Sequence, residues 1–208
     1  MKRNIILLLL VIPLISSCAN PPVEIDSYQP VNRSANEKIE PLNNLLSIKH
    51  DNADYAVTAF LTGAENVVVV YLKIENKTGS DLTAADYSVK LTDGRDRLPL
   101  QLISREVVIA YRAREEGHKI ESGNPMVDLA LSQLGNITRS MGSSQLAQFL
   151  RSIDWAIEHY FAFRPIYAHQ TREGVLCYSA NFIREYPLTL EVIINDLTID
   201  FDFQLILK

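Results

Sequence analysis

The chain has 208 residues and a formal charge of −5; it is 47% hydrophobic and 22% charged, with 8 Gly, 9 Pro and 2 Cys. An apolar half with ordinary charge excludes a wholly disordered chain, low Gly and Pro exclude a collagen-like one, and a net negative charge excludes the strongly basic footprint of a nucleic-acid binder. No period of about 20 to 50 residues repeats, which argues against a solenoid or propeller.

The N-terminus opens with the short cationic stretch Met1-Lys2-Arg3-Asn4, and Ile5 to Ile15 is then apolar except for Pro13. As a helix this run spans about 16 Å, roughly half a bilayer core, so it is too short for a transmembrane anchor and fits a secretory signal. Leu14-Ile15-Ser16-Ser17-Cys18 follows, with an aliphatic residue, two small ones and then cysteine. This segment resembles the lipobox of bacterial lipoproteins. The resemblance implies a signal peptide over 1–17, cleavage before Cys18 and covalent lipid on that residue, with no other cofactor. Ala19, where an inner-membrane lipoprotein would carry Asp, implies the outer membrane of a Gram-negative host. The domain is then expected on the periplasmic side, in contact with the membrane through its lipid alone. Two or more acyl chains hold a protein stably where one does not. Loss of Lys2 and Arg3 makes the mature chain more acidic, so charge gives it no reason to lie on an anionic bilayer.

Residues 18–50 carry Pro21, Pro22, Pro30 and Pro41 among many polar residues. They read as a flexible tether after the lipidated cysteine, about 30 residues able to reach on the order of 100 Å. The stretch from Pro41 to Ile48 is expected to dock as a short turn or strand.

From residue 51 onward the pattern is β. Tyr55 to Leu61 and Val67 to Ile74 alternate with period two. The second run is apolar on both faces over its first half, as a central strand buried at one end would be. Tyr87 to Leu91 and Arg97 to Leu102 flank Asp93-Gly94, a strong hairpin signal, and Pro99 places the returning strand at a sheet edge. Ser104-Arg105-Glu106 opens a helical pattern through Glu116 with Val107, Val108 and Tyr111 on one face. A second pattern starts at Asn124-Pro125 and continues through Leu146, Phe149, Leu150, Ile153, Ile157 and Tyr160 to Arg164-Pro165. Strands resume at Val175–Ala180, Leu188–Ile194 and Leu197–Leu207, the last two joined by Asn195-Asp196. In the final run Ile199, Phe201 and Phe203 are expected inward, and Asp200, Asp202 and Gln204 outward.

The expected fold is mainly β: an immunoglobulin-like β-sandwich of about seven strands over 51–208, with a helical insertion at roughly 104–165. The hairpins at Asp93-Gly94 and Asn195-Asp196 around the Val69–Thr78 strand are similar to those of immunoglobulin-like sandwich domains in exported bacterial lipoproteins of unassigned function. That resemblance covers roughly 52–103 and 172–208.

Signatures of chemistry are sparse. His50, His118, His159 and His169 form no His-Glu-x-x-His pattern, so no metal is expected. Asp196, Asp200 and Asp202 resemble a carboxylate cluster but read as solvation of an outer face. Gly-x-Ser-x-Gly and glycine-rich phosphate loops are missing from the sequence, and Cys177 lies in an apolar run as a small buried hydrophobe. No catalytic residue is assigned. Phe149, Trp155 and Tyr160 in the aromatic-rich insert are the candidate partner-binding residues, because Trp and Tyr dominate interface hot spots. The function read from the sequence is a non-enzymatic outer-membrane lipoprotein that binds another envelope protein or supports assembly. The alternative is an envelope hydrolase or small-ligand-binding lipoprotein using a cleft between insert and sheet.

Overall fold

In the computed structural model of the chain, residues 25–42, 45–64, 67–94, 97–115, 154–179 and 186–206 are described. They form a mainly β, sandwich-like antiparallel structure. Its strands are β1 (Ile25–Val31), β2 (Glu37–Leu42), β3 (Leu45–Asp51), β4 (Tyr55–Ala64), β5 (Val67–Asn76), β6 (Tyr87–Asp93), β7 (Leu98–Pro99), β8 (Leu102–Ile103), β9 (Thr171–Ser179), β10 (Leu188–Ile194) and β11 (Leu197–Ile206). One helix, α1 (Arg105–Glu115), follows β8, and residues 154–158 are also helical.

The ladder runs β7-β6-β10-β11-β1-β4-β5-β9-β8, with β2 and β3 appended to β4. It turns over at β1 into two layers. β1 pairs β4 through Ile25–Ser27 and β11 through Ser27–Val31, so one strand serves both layers. The free edge of β4 is divided in turn, β3 taking Ala56–Ala59 and β1 taking Thr62–Ala64. Val57, Leu61, Val70, Leu72 and Ile74 from one layer meet Leu91, Leu190, Val192, Ile194, Phe201 and Phe203 from the other in one core, all at most 1% exposed. Burying a side chain of this size contributes about 1.5–3 kcal/mol each before entropy is subtracted.

Local chemistry explains the turns. Gly94 (φ 46°) and Arg97 (φ 49°) take left-handed conformations between β6 and β7, and Asn195 (φ 50°) does so between β10 and β11. Asparagine tolerates that region better than most residues; here its side chain is held by a tertiary bond, the Asn195 amide donating to the distant Tyr55 hydroxyl at 3.1 Å. Pro99 lies on edge strand β7, where a missing N–H costs no ladder bond.

Three expectations change. Residues 25–51 are not tether but strands β1 to β3, built into the sheet through pairs such as Tyr28 with Leu205 and Ile48 with Ala59. The described residues hold eleven strands rather than about seven: β1 to β3 are added, and the run from Arg97 to Leu102 divides into β7 and β8. Asp202 does not point to solvent. It is 2% exposed, while Asp200 is half-buried. Of the insertion expected at 104–165, α1 and the turn at 154–158 are helical, and 116–153 lie outside the described residues.

Candidate functional site

The helical cover begins at Ser104, whose hydroxyl accepts the Val107 N–H at 3.4 Å as an N-cap does. The carboxyl of Glu106 is held below its ordinary value by its own backbone N–H and by the Ser104 hydroxyl. Val107 and Val108 then face the sheet, packing with Ile103, Ala156, Val175 and Cys177, and against Val67, Val69 and Tyr71 at the margin. This second cluster explains why β5 begins apolar on both faces and why Val175 to Ser179 are buried without interruption. Arg112 clamps the returning chain through Asp154, Nε to Oδ1 at 2.6 Å and Nη2 to Oδ2 at 3.3 Å, and Arg105 Nε donates to the Ile157 carbonyl at 3.1 Å.

The chain then crosses β9 at close range. Phe161 N–H donates to the Val175 carbonyl and Val175 N–H to the His159 carbonyl, both at 2.8 Å. Gly174 permits the crossing, because a Cβ there would lie 2.6 Å from the His159 carbonyl oxygen and 2.8 Å from Phe161 Cα. Beyond it, Phe161 fills the core beside Tyr87, whose hydroxyl donates to the Arg164 carbonyl at 2.7 Å and accepts the Arg164 N–H at 3.0 Å. Ile166 pairs with Leu82, and Asn76 Nδ2 donates to the carbonyls of Ser80, Ile166 and Tyr167. Residues 159–168 thus close one end of the sandwich.

The predicted partner-binding residues separate. Trp155 is 44% exposed, its ring stacked on His159 with centroids 4.8 Å apart. Tyr160 is instead engaged internally. Its hydroxyl donates to the Ile103 carbonyl at 2.9 Å, and its ionisation is pushed up to about 12, first by burial and then by the neighbouring Cys177 and Glu106. Phe149 and Cys18 lie outside the described residues.

Burial pushes the Cys177 thiol up to about 12, so it stays protonated and a poor nucleophile. Among the described residues no group of three or more His, Cys, Asp or Glu side chains is placed to hold a metal ion, and no helix is long and apolar enough to cross a membrane. The three aspartates do not act together. Asp200 accepts from Arg97 at 2.7 Å, Asp196 is exposed in the turn, and Asp202 is paired with Arg33 and accepts the Thr189 hydroxyl at 2.7 Å.

Thr92, Thr189 and Asp202 form a row across β6, β10 and β11, each opposite the next in register. All three are at most 8% exposed, and Thr92 Oγ1 donates to the Thr189 carbonyl at 3.3 Å. Arg33 reaches this row from the β1–β2 loop, which is shaped by Glu37 accepting the N–H groups of Arg33 and Ser34 at 2.6 and 3.2 Å. Nothing in residues 25–42 taken alone marks Arg33 as a clamp, because its partner is some 170 positions away.

Comparison with known proteins adds no relative: no family model, no curated protein and no solved structure matches this chain.

Proposed function

We propose that this chain is a non-enzymatic lipoprotein of the outer membrane, anchored by lipid on Cys18, whose helical cover engages another protein of the cell envelope. The anchor reading is supported by Leu14-Ile15-Ser16-Ser17-Cys18 directly after the apolar run Ile5–Ile15. The interaction reading is carried by Trp155, the sole tryptophan of the chain, which is 44% exposed on the helical side. Tryptophan exposed to this degree stabilises interfaces more than it stabilises a solvated surface. At finer level the two layers support an immunoglobulin-like sandwich with residues 104–165 as a helical insertion.

The alternative, a hydrolase or ligand-binding cleft between insert and sheet, has less support. A ligand cleft gathers a few convergent polar groups in an apolar hollow. Where α1 and residues 154–158 meet β5 and β9, the packed groups are Ile103, Val107, Val108, Ala156, Val175 and Cys177.

Two experiments test the proposal. Cells fed radiolabelled palmitate should label the wild-type protein in the membrane fraction, and Cys18→Ala should lose both label and membrane association. A photo-crosslinking residue in place of Trp155 should capture an envelope protein in intact cells. Unlabelled wild-type protein would overturn the anchor; label without a Trp155-dependent adduct would overturn the partner.

A further inference from the structure

The distance between the lipid and the sheet is far shorter than a 30-residue tether. β1 begins at Ile25, so six residues, 19–24, separate it from Cys18. Seven Cα steps span at most about 25 Å. The ten residues of β4 are themselves about 33 Å long at 3.3 Å per residue. Ile25 pairs with Ala64 at the final residue of β4, which places the start of β1 at one extremity of the sandwich. With the opposite extremity against the bilayer, the tether would have to run the whole length of β4, which it is too short to do.

The extremity beside Ile25 gathers several strand ends. β9 finishes there at Ser179, and β11 finishes there at Ile206, opposite Ser27. Leu102 lies opposite Tyr178, Leu98 opposite Asp93 near the start of β10, and Tyr186 just before β10. Leu46 is two residues past the last β3–β4 pair, in the same direction. Leu46, Leu98, Leu102, Tyr186 and Ile206 are 38–45% exposed and make up half of the ten exposed large apolar side chains among the described residues. The other extremity is mostly polar: Asn52, Asp54, Asn76 to Asp81 and Asn195-Asp196 form its turns, and Lys49 and Lys77 both pair with Asp51. Phe163 and Tyr167 are its exposed aromatics.

We infer that the extremity carrying Leu46, Leu98, Leu102, Tyr186 and Ile206 is a lipid-facing surface that rests on the bilayer to which Cys18 is anchored. The occupant is the apolar–polar boundary of the membrane, where exposed Leu, Ile and Tyr side chains are stabilised by partial burial. Acyl chains on Cys18 hold the domain at the surface, and the apolar end orients it, leaving the polar end and the helical cover free for a protein. This inference rests on the anchor proposed above.

The test uses the full lipidated chain in its own membrane. A photo-crosslinking residue is placed singly at Leu102, Tyr186, Ile206 and, as the opposite-end control, Tyr167, and adducts with labelled phospholipid are read by mass spectrometry. Lipid adducts at the first three positions and their loss at Tyr167 support the inference. Membrane-bound, palmitate-labelled protein without lipid adducts at the three positions overturns it while leaving the anchor standing. Equal lipid adducts at Tyr167, or protein adducts in place of lipid at the three positions, also overturn it. Absence of palmitate on Cys18 removes the anchor and this inference together.

Discussion

Gly174 is the position where a single methyl group should do most to test the architecture. In Gly174→Ala the new Cβ meets backbone, namely His159 O at 2.6 Å and Phe161 Cα and N at 2.8 Å, with no flexible side chain to give way. Either β9 or residues 159–161 must shift. Overpacking of this kind costs about 1–3 kcal/mol. The shift also stretches the two 2.8 Å bonds between Val175 and residues 159 and 161, at about 0.5–1.5 kcal/mol each. Alanine recovers about 0.4–1 kcal/mol by restricting the unfolded chain. The net expectation is a loss of about 1–5.6 kcal/mol. At about 2–4 °C per kcal/mol for this size, the melting midpoint should fall by about 2–22 °C. Gly79→Ala is the control, because a Cβ there has nothing within 4 Å. Thermal unfolding of chain 19–208, followed by circular dichroism, reads both. A Gly174→Ala midpoint equal to that of the parent, with Gly79→Ala also unchanged, would mean that the segment after residue 158 does not cross β9 at this distance.

Other expectations concern polar groups. Arg33→Ala leaves the Asp202 carboxylate buried beside Thr189 and should cost about 1–3 kcal/mol in urea unfolding, the half-exposed arginine tempering the full penalty. Adding Asp202→Asn should recover part of it, since the amide still accepts from Thr189 without needing a counter-ion; no recovery would deny the ion pair its role. Lys49, with Lys77, holds the Asp51 carboxyl at about 2, below its ordinary value. Its contribution is therefore complete above a pH of about 4 and lost as pH falls through about 2. Asp51→Asn should flatten the acid limb of a stability–pH curve in that window, and an unchanged limb would refute the pairing. The buried Cys177 thiol should resist a thiol reagent at pH 8 in the native state and react fully in guanidinium chloride. Rapid native modification would contradict its burial.

Much of the β framework was legible because it is written in local pattern. Alternation over Tyr55–Leu61, Val67–Ile74 and Leu188–Ile194, the turns at Gly94 and Asn195, the edge proline Pro99 and the helix start at Ser104 all depend on neighbours within a few positions. Even the double-sided apolar start of β5 carried its meaning, since a second layer does cover it. The candidate site was less legible. Trp155 is 44% exposed, whereas Tyr160 spends its hydroxyl on the Ile103 carbonyl, a partner 57 positions away.

What the sequence by itself determined is which segments can form strands and where the chain must turn, because pleat and turn geometry are settled by side chains in immediate succession. Tertiary structure alone decided the rest. Ile25-Asp26-Ser27-Tyr28-Gln29-Pro30-Val31 looks like linker until β4 and β11, the second of them at the far end of the chain, offer it ladders on both sides. Asp202 alternates like a solvent-facing residue until Arg33 and Thr189 cover it. Gly174 resembles any strand glycine until another backbone passes 2.6 Å from its missing Cβ. In each case the deciding partner is distant along the chain and near only after folding, where hydrogen bonds and close packing reward a pairing that no local window contains.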